Sequence, residues 1–152
     1  MQWGPPLAQS TGKLLRILTC VTCGIADAQS PPFGQTLSQH IVVPFPVESS
    51  LSQVGQKNVQ RMWYRRQFAV PADWAGQRIL LHFGAVDYEA KVYVNQHLLT
   101  THTGGYNKFF VDMTDALASS GLNELVLGVW DPTDKGPLIP IGKQRSESAV
   151  SL

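Results

Sequence analysis

Residues Arg78 to Tyr106, RILLHFGAVDYEAKVYVNQHLLTTHTGGY, decide how this chain folds. Ile79, Leu81 and Phe83 alternate with Leu80 and His82, while Ala90, Val92 and Val94 alternate with Lys91, Tyr93 and Asn95. A period of two puts successive side chains on opposite faces, the pattern of half-buried antiparallel strands. Between the two runs, Gly84 to Glu89 forms a polar turn that holds an acid and an aromatic together, Asp87 and Tyr88. Asn95-Gln96 predicts a hairpin apex, because asparagine tolerates positive φ better than most residues. Gly104-Gly105 then lets the backbone bend sharply before Tyr106.

The same patterning extends outward. Ile41-Val42-Val43-Pro44 predicts a short strand closed by proline, and Phe45 to Ser49 an extended turn, since a residue before proline is pushed out of the α region. Trp63 to Val70 predicts a strand with Tyr64, Arg66, Phe68 and Val70 on one face and Trp63, Arg65, Gln67 and Ala69 on the other. Phe109 to Met113 predicts another, followed by a helical turn from Thr114 to Leu117 capped by Thr114 or Asp112. Leu125, Leu127 and Val129 alternate with Val126, Gly128 and Trp130 in a last strand. About seven short strands spaced by turn signals indicate an all-β sandwich. Its expected core is Ile79, Leu81, Phe83, Val92, Val94, Leu125, Leu127 and Val129. Immunoglobulin-like and jelly-roll sandwiches are not separable on this pattern.

Composition narrows the function classes. The 152 residues are enough for one domain with a real core. Twelve basic against eleven acidic side chains leave a net charge of +1, so no basic stripe points to nucleic acid. No run approaches the roughly 18 apolar residues of a transmembrane helix, so no membrane partner is expected.

Residues 1–38 differ in character from the rest of the chain. Lys13 and Arg16 flank an apolar run, Ile17 to Ala26, that ends in Ala26-Asp27-Ala28. That is the outline of a secretory signal, with an aspartate inside the cleavage triplet as a departure; an unstructured leader is the other reading. Gln29 to Gln35, with Pro31-Pro32 and Gly34, reads as a linker. Cys20 and Cys23 form C-x-x-C, but a zinc site needs about four ligands and no second pair is present. The expected organisation is a leader over 1–38, a sandwich domain over 39–144 and a disordered tail over 145–152.

Candidate chemistry is sparse. Glycoside hydrolysis needs two carboxyl groups roughly 5 Å apart or more. Asp87 with Glu89 is the tempting pair, yet both lie in or beside a turn, where aspartate more often caps its own backbone. His40, His82, His97 and His102 lack metal-ligand spacing. No G-x-S-x-G elbow and no phosphate-cradling glycine loop is present. No catalytic residue, metal ligand or cofactor is therefore expected. The group suited to sugar contact or to domain docking is Asp87, Tyr88, His102, Tyr106, Asp131 and Asp134, because rings stack on pyranose C–H faces and carboxylates take hydroxyl bonds. Core packing with the hydroxyl satisfied at the rim is the alternative for Tyr88 and Tyr106.

The ordered set RILLHFGAVDYEA, VYVN, HTGGYNKF, DMT, NELVL and DPTD resembles the N-terminal sandwich domain of glycoside hydrolase family 2 across Ile41 to Gln144. The resemblance implies a jelly-roll, galactose-binding-like sandwich, incomplete at both ends. It implies a non-catalytic accessory role beside an immunoglobulin-like domain and a catalytic barrel, with carbohydrate as a weak ligand at most. A free-standing carbohydrate-binding module or a non-enzymatic interaction protein is the alternative. The family's acid/base glutamate follows an asparagine, but Asn123-Glu124 here opens a sandwich strand and reads as structural. Asn95-Gln96 departs from the family's usual Asn-Gly.

Overall fold

The computed structural model describes residues 13–15, 21–26 and 30–132, the first two segments through their backbone alone. Nine strands are described: β1 Lys13–Leu15, β2 Val21–Ala26, β3 Gln39–Val43, β4 Arg61–Phe68, β5 Ile79–Phe83, β6 Glu89–Val94, β7 His97–Thr103, β8 Phe109–Asp112 and β9 Asn123–Trp130. Among the described residues the only helices are short 3-10 turns, and none could cross a membrane. The strands form a six-stranded sheet, β3-β2-β4-β9-β6-β7, and a three-stranded sheet, β1-β5-β8. β1 runs parallel to β5, and the other described pairings are antiparallel.

The alternating residues meet where the period predicts. Phe68, Ile79, Leu81, Phe83, Ala90, Val92, Val94, Val111, Met113, Leu125 and Leu127 are buried between the sheets, with Tyr64, Val70 and Val129 half-buried against them. β4 and β9 pair without a break from Arg61↔Trp130 to Phe68↔Asn123, so Tyr64 lies opposite Leu127 on the inner face. A smaller cluster of Ile41, Val47 and Met62 fills one flank.

Two findings depart from the sequence reading. The segment expected as a leader contributes two strands, and β2 sits between β3 and β4. The valine, threonine and isoleucine of VTCGIA favour a strand, and a short apolar run does not reveal from periodicity whether it is a strand or a signal core. The second finding is that Leu80 and Val126 are buried, although both lie on faces expected to meet water. Val126 stands in register with Tyr93 and Arg65 on the outer face of the large sheet. There the supposed linker forms a strap. Phe33 meets Tyr93 edge-on at 5.4 Å, and the Gly34 N–H donates to Glu124 Oε1 at 2.9 Å. Leu80 lies in register between Leu14 and Asp112, with a strand on each side.

The β6–β7 apex is Asn95-Gln96, with φ of 48° and 70°, the left-handed pair that a two-residue hairpin requires. Glutamine stands where glycine is commoner, and the turn is fixed by Asn95 instead. Asn95 Nδ2 donates to Ala116 O and to Asn123 Oδ1, each at 2.7 Å, while its Oδ1 accepts the Glu124 N–H at 2.9 Å. Asn123, 2% exposed, also accepts the Ala118 N–H at 2.8 Å.

The turn after β8 is capped by Asp112. Its Oδ1 accepts the Thr114 hydroxyl at 2.6 Å and the Thr114 N–H at 3.0 Å, and Arg78 Nε donates to its other oxygen at 3.0 Å. The Thr114 hydroxyl, its backbone N–H and then Arg78 hold the Asp112 carboxyl down, from the ordinary 3.8 to about 2. A carboxyl depressed by folding stabilises above its unfolded pKa, and that contribution is lost as pH falls through the folded value. Asp112→Asn is therefore expected to lower the urea midpoint at pH 7, with the gap to the unaltered protein closing between about pH 4 and pH 2. The gap should stay within about 1 kcal/mol, because water reaches the pair and screens it. A gap that does not change with pH would show that the charge is not what Thr114 and Arg78 hold.

Candidate carbohydrate-facing end of the sandwich

Three chain segments converge at one end. The Tyr88 N–H donates to Trp130 O at 3.1 Å, which ties the 87–88 turn to the end of β9. The Gly104 N–H donates to Tyr88 O at 2.9 Å, which ties the same turn to the glycine corner. The Asp131 N–H donates to Gln60 O at 2.8 Å, beside the start of β4. The Asp87–Tyr88 peptide is cis.

The corner is built for closeness. Gly104 has a φ of 113°, which a side chain rarely adopts. Gly105 has the Asp87 carboxyl packed directly on it, so even a methyl there would overlap Asp87. Tyr106 comes next and is 71% exposed. Asp87, Tyr88 and Asp131 are half-buried, and Asp87 and Asp131 are already engaged within the protein.

His102 stands apart from this group. It pairs with Ala90, a core residue, and cross-strand partners share a face. Its ring stacks on Phe109 at 4.0 Å and 15°, and Phe109 stacks on Phe83 at 4.6 Å and 12°. This column joins β7 of the large sheet to β8 and β5 of the small one. His102 Nε2 is buried and without a hydrogen-bond partner. Of the six sequence candidates, the structure brings Asp87, Tyr88, Asp131 and the corner bearing Tyr106 to one end, while the His102 ring stacks inward. Asp134 lies outside the described residues.

The carboxylates that invited a catalytic reading have structural partners. Glu124 Oε1 accepts from Arg65 Nε at 2.6 Å as well as from Gly34, so Glu124 fastens the outer face while Asn123 is spent on Asn95 and Ala118. Glu89 Oε1 lies 3.4 Å from Lys91 Nζ and stands in register with Thr103 and Trp130, whereas Asp87 faces Gly105. Among the described residues no group of three His, Cys, Asp or Glu could hold a metal. Sequence reasoning passed over Phe33, Trp63 and Tyr93, which form an aromatic cluster on the outer face. The available signal was Gly128: a glycine inside a strand marks a close approach, and here the Trp63 ring lies over it.

Two packed sheets with turns gathered at their ends are the build of a β-sandwich, an architecture that hosts many functions. Residues 26–138 match the family described as "Glycosyl hydrolases family 2, sugar binding domain", and the chain belongs to that family. The β-glucuronidase of Paenibacillus borealis is 30% identical over 92 residues, which are 57% of this chain and 15% of that protein. The β-galactosidase of Thermoanaerobacter pseudethanolicus is 32% identical over 80 residues, 53% of this chain and 11% of that one. The solved structure of Bifidobacterium dentium β-glucuronidase complexed with coumarin-3-O-glucuronide superposes with a TM-score of 0.64 at 29% identity, covering 73% of this chain and 19% of that one. The chain thus spans less than a fifth of the length of these relatives, which are larger carbohydrate-processing enzymes that contain this domain.

Proposed function

We propose that this chain binds a pyranose sugar weakly and without turnover, at the end formed by the 87–88 turn and the 104–106 corner. In this reading it is the accessory domain of a glycosidase whose chemistry is carried by a catalytic barrel, with an immunoglobulin-like domain as a further neighbour. The observation that carries the proposal is the exposed Tyr106 on a rigid corner, fastened to Tyr88 and, through it, to β9. An exposed ring offers a stacking face, and the half-buried Tyr88 beside the corner offers a hydroxyl partner.

The affinity is set by how little of the sugar such an end can cover. Each hydrogen bond made in exchange for water contributes about 0.5–1.5 kcal/mol. Two or three of these with one stacking contact must offset the immobilisation of the ligand, which leaves a Kd on the order of millimolar. Chemical-shift titration with glucuronate, galactose and mannose should move amides at 87–88, 104–106 and 131, and Tyr106→Ala should weaken the response. Micromolar binding that survives Tyr106→Ala, or an absence of shifts at this end with all three sugars, would overturn the proposal.

A further inference from the structure

We infer that Asp87 is a positioning residue whose carboxyl, seated as a wedge on Gly105, fixes the 104–106 corner and so presents Tyr106. The inference rests on the reading of this end as the sugar-facing one, and it assigns to Asp87 a task other than ligand contact.

Four observations support it. The Asp87 side chain occupies the space a Gly105 side chain would need, with its Cβ, Cγ and Oδ1 all close to that position. The carboxyl is half-buried and already engaged within the protein, so it is not a free group awaiting a hydroxyl. The neighbouring backbone is tied on both sides, by Tyr88 N–H to Trp130 O and by Gly104 N–H to Tyr88 O. Gly104 alone would leave the corner loose, because glycine at a φ of 113° has wide conformational freedom. A rigid group packed against the next residue removes that freedom. Tyr106, directly after the wedged glycine and 71% exposed, inherits its direction from the corner.

A residue that acts through another loses its effect once that other is gone. Sugar titrations of the full chain should therefore show Asp87→Ala weakening binding roughly three- to tenfold, as expected for loss of one stacking contact and as Tyr106→Ala does. The double variant should bind no more weakly than Tyr106→Ala alone. Asp87→Asn, which keeps the shape of the wedge, should stay within about twofold of the unaltered protein. Additive losses in the double variant, or an Asp87→Asn loss equal to that of Asp87→Ala, would show that Asp87 touches the sugar and would overturn the assignment. A second readout needs no sugar. The Tyr106 amide resonance should shift in Asp87→Ala and in Gly105→Ala, whose added methyl displaces the carboxyl, and should hold in Asp87→Asn. A Tyr106 signal unmoved in Gly105→Ala would sink the wedge whatever the titrations show. A shifted signal with no sugar response in the unaltered chain would sink only the sugar-facing reading.

Discussion

Leu81→Ala is expected to lower the stability of the sandwich by about 2–5 kcal/mol. Leu81 is fully buried at the middle of β5, opposite Val111 of β8, and it faces the inner residues of the large sheet. Removing three carbons there forfeits both transfer energy and packing contacts. β5 is held on one side by β1 and on the other by β8, so the strand has little room to move in and fill the hole. Urea unfolding should show a lower midpoint with an unchanged slope, the mark of altered stability in an unaltered fold. A loss under about 1 kcal/mol would mean that this interior collapses around small side chains and is loosely packed.

Asn123→Ala should cost about 2–4 kcal/mol, by a different route. The Asn123 carbonyl oxygen accepts two donors, Asn95 Nδ2 and the Ala118 N–H, at a residue only 2% exposed. Alanine leaves both donors short of a partner, and each unsatisfied buried group costs about 1–3 kcal/mol. Asn95 keeps its bond to Ala116 O, which limits its share of the loss. The cost should therefore be smaller in an Asn95→Ala background than in the unaltered chain, a coupling that a double-mutant cycle measures. Equal costs in the two backgrounds would show that Asn95 and Asn123 do not act as a unit.

The inner face was readable because its signal is local. Ile79, Leu81, Phe83, Val92, Val94, Leu125 and Leu127 declare themselves through a two-residue period and are buried, while Val129, expected with them, is half-buried against the core. The outer face was not readable, because what covers it comes from far along the chain. Nothing in the sequence near Val126 says that Phe33 will meet Tyr93, its neighbour in register, or that Glu124 will accept the Gly34 N–H. β2 was hidden by its length, since six residues with a glycine inside serve as well for a signal core as for a strand. At the candidate end the turn and corner were legible from Asp87-Tyr88 and Gly104-Gly105. Their contact was not, because Gly105 looks like a bend and its tight packing against Asp87 depends on a partner eighteen positions earlier. The stacking of His102 was hidden for a similar reason: its half-polar strand conceals a register that sets the ring on Phe109.

Trp63 and Gly128 stand opposite each other across β4 and β9, and a Cβ at position 128 would lie 2.5 Å from Cζ3 of the indole. The bulk of one residue occupies the vacancy of the other, so a change at either position is felt at its partner. While tryptophan stands at 63, an alanine at 128 forces the indole to shift from its seat; once Trp63 is shortened, a larger residue at 128 refills the hollow. Valine at 128 with tryptophan still at 63 would lift that ring from the sheet and, with it, one member of the aromatic cluster that Tyr93 and Phe33 complete.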